Sequence, residues 1–195
     1  MGVNGYAYQE LNGENSELFD KLFNEENKEF CQIFGHDKIS SYQIGEFLGD
    51  FMIRKVTGSK ELMRTVSRVV RKFIKWIRKK GYMNEEEYEV AAQTVDDLKS
   101  DLPKVVELSD SLYEYAEYAP PINFTKTVEG YFPVTKIQPG KLWLKNYLGQ
   151  ERKLGPVFVS DEISSLCKVG WMISLKLGKT RKGWEILESG NVYPK

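Results

Sequence analysis

The most distinctive chemistry in this chain is a dense run of positive charge between residues 64 and 80. The segment RTVSRVVRKFIKWIRKK carries eight Lys or Arg side chains and no acid, although the whole chain has 28 basic and 28 acidic residues. On a helical wheel at 100° per residue, five cations fall in one row, here called the basic row: Arg64, Arg68, Arg71, Lys75 and Arg78. Lys72 and Lys79 flank it. Such a row is suited to the regular charges of a phosphate backbone, in DNA or RNA.

Two explanations of the basic row are open. Residues 14–53 hold nine acids against three bases, and residues 81–118 hold eleven acids against two bases, so flanking helices could neutralise the row internally. Alternatively, the row stays exposed and binds an external polyanion. An anionic membrane or a calmodulin-like protein fits less well, because the apolar side of the same helix is needed for a core.

A second candidate surface is the short alternating segment KLWLK. Leu142 and Leu144 point to one side of a strand, while Lys141, Trp143 and Lys145 point to the other. If the leucines are buried, an exposed indole between two lysines resembles a stacking platform for single-stranded bases. Residues 119–195 hold twelve bases against six acids, so this region has the positive charge that binding to nucleic acid requires. The alternative is that Trp143 packs on the helical part of the protein or on a second chain.

Catalytic chemistry is poorly supported by the sequence. His36 is the only histidine, and together with Cys31 and Cys167 it cannot complete a usual zinc site. No Ser–His or Cys–His pair has a plausible third member. The GKT at 178–180 lacks the earlier glycine of a phosphate-binding loop. We therefore expect no enzyme, no metal and no cofactor, and the two cysteines suggest buried thiols in a reducing cytoplasm.

Two regions must position these residues, and they give an α+β fold. Residues 14–119 are predicted to form a helical bundle domain, and Pro120-Pro121 ends its last helix. Apolar periodicity and capping residues predict five helices. The first is Ser16–Phe34, the second runs from Ser40 or Ser41 to Gly58, and the third runs from Ser59 to Lys80. The fourth begins at Asn84 with a capping box at Glu87, and the fifth is capped by Ser100 or Asp101 with Pro103 in its first turn.

The third of these helices carries the basic row. Its apolar side, predicted to face the core, consists of Leu62, Val66, Val69, Val70, Phe73 and Ile77.

Residues 124–195 are predicted to form a small β-barrel domain of five strands. The strands are expected at 128–137, 142–145, 156–159, 171–177 and 184–188, with a short helix at 161–167. Trp171 and Trp184 alternate with aliphatic residues and are predicted to be core. Five short strands must close to cover their edges, as in an OB-like or SH3-like barrel, and the helix between strands three and four favours OB-like order.

Part of the helical region resembles a known family. The segments FLGDFMIRKV and ELMRTVSRVVRKFIKWIRKKGYM, within residues 40–90, resemble the SAM-like core-binding domain of tyrosine recombinases. That resemblance implies a domain that grips duplex DNA. The catalytic domain of that family would add an Arg, a His-x-x-Arg motif and a nucleophilic Tyr, and His36 has no Arg three residues later.

These observations predict a non-enzymatic nucleic-acid-binding or adaptor protein from a prokaryote. The rival prediction is a protein–protein interaction module, or a homo-oligomer, whose basic helix is neutralised internally. A third is a ligand site in the groove between the two regions. Neither region contains an apolar run long enough to suggest a membrane span, so a membrane partner is not expected.

Overall fold

The computed structural model describes residues 13–35, 38–56, 58–120, 123–148 and 151–194. Contacts divide the chain into two compact units. The first groups Met1–Phe51 with Thr65–Lys99, and the second groups Met52–Arg64 with Ser100–Lys195. The domain division expected from the sequence, at residues 14–119 and 124–195, stays a prediction.

Short polar side chains cap three of the helices described between residues 13 and 117. The bounds of all these helices are α1 Gly13–Glu26, α2 Phe30–Ile33, α3 Ser41–Glu46, a π-helical turn Phe47–Phe51, α4 Met52–Lys55, α5 Lys60–Lys79 and α6 Glu85–Glu117. Ser40 and Gln43 form a capping box at α3. The Ser59 hydroxyl accepts from the Leu62 amide at 3.3 Å at the start of α5, and Asn84 accepts from the Glu87 amide at 2.8 Å at the start of α6.

Two details of the predicted helices are wrong. The first predicted helix is two helices, because Asn27 adopts a left-handed φ of 53° that ends α1. The capping box predicted at Glu87 is incomplete, since the Glu87 carboxylate accepts from the Ser41 amide instead of closing back on Asn84.

The predicted break near residue 100 is also wrong, because α6 runs without interruption through Pro103. A proline in a helix interior removes one backbone donor and crowds the preceding turn. The loss is offset by burial on both sides of it, since Leu98, Leu102 and Val105 are all buried. Local capping signals at Ser100 and Asp101 are therefore overridden by packing along the whole helix.

The buried stripe of α5 is rotated from the one that the wheel predicted, although Val70 and Ile77 are buried as predicted. Its buried positions recur at helical spacing along one stripe: Met63, Ser67, Val70, Ile74 and Ile77. Val69 is 58% exposed, and Leu62 and Phe73 are also exposed. The apolar arc of this helix is wider than the roughly 100° stripe that a neighbour covers. Which part of that arc becomes core depends on the packing partners.

The second unit contains a five-stranded sheet. Its strands are β1 Thr127–Gln138, β2 Lys141–Lys145, β3 Lys153–Phe158, β4 Met172–Lys179 and β5 Trp184–Tyr193, with helix α7 Asp161–Leu166 between β3 and β4. The order β1-β2-β3-β5-β4 returns to β1 through an antiparallel β1–β4 pairing. The β3–β5 pairing is parallel, at Val157 and Trp184. Each strand therefore has a neighbour on both sides, and the α+β class is confirmed.

The sheet encloses an apolar core. Trp171 and Trp184 are buried as predicted, together with Phe132, Leu142, Leu144, Leu154, Val157, Ile173, Leu175, Leu177 and Ile186. Asp101 of α6 accepts from the Trp171 indole at 3.3 Å and from the Lys168 ammonium. This carboxylate satisfies the polar edge of a buried indole, and so attaches the C-terminal part of α6 to the sheet within this unit.

No helix among the described residues is long and apolar enough to span a lipid bilayer.

The corrected orientation of α5 can be tested by truncation. We expect Ile74→Ala, at a fully buried position, to reduce the free energy of unfolding by about 2–5 kcal/mol through lost burial and a cavity. Val69→Ala on the exposed side should change it by no more than about 0.5 kcal/mol. Urea unfolding of both variants gives the two values, and a larger loss for Val69→Ala than for Ile74→Ala would refute the orientation.

Candidate nucleic-acid interface

The basic row on α5 lies beside acidic residues that pair with part of it. Arg71 pairs with Asp96 at 3.2 Å, and Arg78 pairs with Glu85 at 2.7 Å. Both carboxylates belong to α6. The Arg78 guanidinium also lies 4.4 Å from the centre of the Tyr88 ring. These contacts lie within the first unit, and they place two guanidinium groups of the row against α6.

The two arginines at the start of the row each contact a residue of their own helix. Arg64 pairs with Glu61 at 3.1 Å, one turn earlier. The Arg68 guanidinium donates to the Thr65 hydroxyl at 3.0 Å. Exposed pairs of this kind contribute about 0–1 kcal/mol each, because water competes with both partners. The pairing reduces the positive potential of the row without removing these side chains from water.

Three lysines on the same helix keep their charge open to solvent. Lys72, Lys75 and Lys79 are exposed, and within the described ranges no carboxylate lies within ion-pair distance of any of them. They therefore provide the part of the α5 charge that remains available to an external anion.

Aromatic side chains that sequence reasoning missed lie on α5 as well. Trp76 is 50% exposed, and its ring centre lies 6.2 Å from that of Phe73 and 6.0 Å from that of Tyr82. The periodicity of the helix placed Phe73 in the core and gave Trp76 no role. Only the observed rotation of α5 shows that these rings are exposed.

The outward face of β2 brings together the other predicted residues. Leu142 and Leu144 are buried, and Lys141 and Lys145 are exposed on the opposite face with Trp143 partly exposed between them. The alternation predicted from KLWLK is therefore confirmed. The Thr135 hydroxyl donates to the Trp143 carbonyl at 2.9 Å, which fixes the strand at this point.

The Trp143 indole is positioned by two neighbours that the sequence did not single out. Lys136, its cross-strand partner on β1, places its ammonium 4.5 Å from the ring centre. Gly155 on β3 lies on the other flank, where a Cβ atom would approach Trp143 Cδ1 to 2.5 Å. Lys145 in turn lies 4.5 Å from the centre of the exposed Tyr147 ring. The result is an aromatic and cationic surface on β1 and β2, here called the Trp143 surface.

Part of the positive charge of the sheet is neutralised at one point. The Glu151 carboxylate accepts from Lys126 at 2.8 Å and from Lys179 at 2.7 Å. The hydrogen bonds from Lys126 and then Lys179 lower the pKa of this carboxyl. Lys136, Lys141 and Lys145 make no ion pair with another described residue. The Trp143 surface therefore keeps a net positive charge.

The two sets of predicted residues belong to different units. Residues 68–79 of the basic helix lie in the first unit, whereas Arg64 and β2 lie in the second. We therefore treat them as two surfaces.

Metal ligands and thiols are two kinds of group that can support catalysis in the part of the chain that the structure describes. No group of three or more His, Cys, Asp or Glu side chains there could hold a metal ion. Cys167 is buried, and burial raises the pKa of its thiol to about 12, so the reactive thiolate is disfavoured. His36 and the Cys31 side chain lie outside the described residues.

Comparison with known proteins finds no relative. No family model, no curated protein and no solved structure matches this chain. Nothing in these comparisons bears on the resemblance to recombinase core-binding domains.

The close contact between Gly155 and Trp143 predicts a sensitive position. We expect Gly155→Ala to push the indole away from β3, because the new methyl group would overlap its ring. Acrylamide quenching of tryptophan fluorescence should rise, measured in a Trp76→Phe background because Trp171 and Trp184 are buried. Quenching equal to that of the background protein would show that Gly155 does not set the position of Trp143.

The Glu151 cluster predicts a pH-dependent contribution to stability. A carboxyl whose pKa is lowered by folding stabilises the protein above its unfolded pKa, and this stabilisation disappears as the pH falls through the folded value. We expect Glu151→Gln to lower the free energy of unfolding at pH 7 by less than about 1 kcal/mol and to match the unsubstituted protein near pH 2. Urea unfolding at both pH values measures this difference. Glu117→Gln on α6 is the control, and an equal loss at both pH values would contradict the expectation.

Proposed function

We propose that the protein binds nucleic acid through the Trp143 surface and has no catalytic role of its own. The observation that carries the proposal is a partly exposed indole held on a strand face between Lys136 and Gly155, with exposed Lys141 and Lys145 on either side. A flat ring stacks against a base of any sequence once the Lys136 ammonium has moved off its face, and this and the adjacent ammonium groups donate to phosphates. The combination supports binding with little sequence preference.

We further propose that the sheet is a small barrel of OB-like rather than SH3-like order. The strand order β1-β2-β3-β5-β4 and the position of α7 between β3 and β4 support this. In a site of this kind the binding side chains would stand on rigid strands, so little conformational entropy would be lost on binding.

Helix α5 provides the second proposed contact, through phosphates rather than bases. Its exposed lysines, Lys72, Lys75 and Lys79, support this role most directly, while Arg64, Arg68, Arg71 and Arg78 would first have to exchange their present partners. Duplex binding by this helix is what the resemblance to recombinase core-binding domains leads us to expect.

A protein–protein interaction module is the second candidate function. The ion pairs from Arg71 and Arg78 to α6 favour it, because they use cations of the row inside one unit. The exposed rings of Phe73 and Trp76 would then suit a protein partner or a second copy of the chain.

The two surfaces can be separated by replacing one exposed tryptophan in each. We expect Trp143→Ala to weaken binding of a fluorescein-labelled ten-nucleotide thymidine oligomer by about 5- to 150-fold, the equivalent of about 1–3 kcal/mol for one lost base stack. Trp76→Ala on α5 is the matched control and should change the affinity less than twofold. If three lysines of the Trp143 surface each neutralise one phosphate, the slope of log affinity against log salt should be about −2.

Fluorescence anisotropy gives these affinities, and circular dichroism confirms that each variant is folded. A loss with Trp76→Ala alone, or a slope near −4.5 on duplex DNA as expected for five row cations, would move the site to α5. Absence of binding to both single strands and duplex would remove the nucleic-acid proposal and leave the protein-interaction module.

A further inference from the structure

A cleft in the second unit has a lining that the sequence did not single out. It has a volume of 660 Å³ and lies between the segment before β1 and the hairpin that joins β4 to β5. One aromatic ring, two cations and three neutral polar side chains line most of it: Phe124, Arg181, Lys182, Asn123, Thr125 and Thr180. A ring with adjacent cations in a concave site is suited to a nucleobase and its phosphate.

The aromatic ring of this cleft is exposed, and the backbone beside it is ordered by hydrogen bonds. Phe124 is 47% exposed. The amide and hydroxyl of Thr125 donate to the Lys179 carbonyl at 2.9 and 3.3 Å, which fixes the backbone beside it. Gly178 lies so close that a Cβ atom there would be 3.1 Å from Phe124 Cβ. Because the backbone is already ordered, stacking a base on this ring costs little conformational entropy.

The hairpin tip that carries the two cations is equally well defined. The Thr180 amide donates to the Gly183 carbonyl at 2.8 Å, and the Thr180 hydroxyl accepts from the Lys182 and Gly183 amides at 3.3 Å. Arg181 and Lys182 are exposed at this tip, and neither makes an ion pair with a residue that the structure describes.

One acidic residue also lines the cleft. Burial raises the pKa of the Glu185 carboxyl, and the nearby Lys182 charge opposes that rise. The two cations outnumber this single carboxylate, so the cleft keeps an excess of positive charge.

The same hairpin contacts the strand beneath the Trp143 surface. A Cβ atom at Gly183 would lie 2.6 Å from the Pro156 carbonyl oxygen and 2.8 Å from the Phe158 ring. Pro156 directly follows Gly155, which lies against Trp143. The step from β2 across β3 to β5 is about 10 Å at the usual strand spacing. The Trp143 surface and the cleft are therefore joined by a continuous run of contacts within one unit.

We propose that the Phe124 cleft is a second base-stacking subsite and that the ligand of the two sites together is a single-stranded nucleic acid. One base stacks on Trp143, another stacks on Phe124, and Arg181 and Lys182 contact the phosphates between them. The bases of a duplex stack on each other, so their faces are closed to side chains, whereas those of a single strand are open. This inference rests on the function proposed above for the Trp143 surface.

The test compares two substitutions of Phe124 that differ only in the flat ring. Phe124→Leu keeps an apolar side chain and should weaken binding of the ten-nucleotide thymidine oligomer at least about 5-fold, because one base stack is lost. Phe124→Tyr keeps the ring and should stay within twofold of the unsubstituted protein. A 10-base-pair duplex should bind more weakly than the single strand. Anisotropy measures the affinities, and thermal unfolding checks the fold.

The cations of the hairpin provide a second readout. The double variant Arg181→Ala, Lys182→Ala should make the salt slope shallower by about 1.4, from the value of about −3.5 expected for five cations over the two sites, because two phosphate contacts on a single strand are lost. The exposed pair Lys99→Ala, Lys104→Ala on α6 is the matched control and should leave the slope unchanged.

The outcomes separate this inference from the function on which it rests. If Trp143→Ala weakens binding but Phe124→Leu does not, the second subsite is refuted and the Trp143 surface stands. If Phe124→Leu and Phe124→Tyr weaken binding equally, stacking at Phe124 is refuted. If Phe124→Leu weakens binding of the duplex as much as binding of the single strand, the single-stranded ligand is refuted. If the unsubstituted protein binds neither ligand, both proposals fall.

Discussion

The outward position of Trp143 depends on the burial of Leu142 and Leu144 on the other face of β2. Side chains of a strand alternate between its two faces, so a strand that buries two leucines must present the residue between them to the outside. Both leucines are fully or almost fully buried in the core that the sheet encloses. A shift of one residue in the β2 register would exchange the two faces, and it would place two lysines in that core. The core thus fixes which face of β2 points outward.

The same sheet carries a cluster of cations, although the whole chain has equal numbers of basic and acidic residues. Lys136 and Lys145 each lie over an aromatic ring, which holds the ammonium group near the surface and leaves it hydrated. Glu151 pairs with Lys126 and Lys179. On α5, acidic side chains of α6 reach two of the arginines and leave three lysines open. Ion pairs therefore neutralise part of the positive charge on each surface. The lysines that make no ion pair with a described residue are the ones with exposed aromatic rings nearby.

The five strands could be located from the sequence, although β3 begins three residues earlier and β5 ends five residues later than predicted, whereas the core side of α5 could be predicted only in part. A period of two leaves only two choices of face, and the choice is decided when one face is purely apolar, as in KLWLK. Apolar side chains cover nearly half of the circumference of α5, so its sequence permits more than one buried stripe. The stripe through Ile74 was selected by packing, and Val69 and Phe73 became surface residues. The same limit explains Pro103, where a local signal for a helix end was overridden by the burial of Leu102 and Val105.

By itself, the sequence determined the α+β class, the caps at Ser40, Ser59 and Asn84, the presence of five strands and the alternation that places Trp143 between two lysines. These features depend on interactions between residues a few positions apart, so a short stretch of sequence is enough to predict them. Only the tertiary structure brought Gly155 and Lys136 to Trp143, joined Asp101 to Trp171, and placed Phe124 beside Arg181 and Lys182 in one cleft. The residues in these contacts are separated by 7 to 70 positions. Chain closure over such distances is decided by the packing of the whole unit, because no short segment contains both partners.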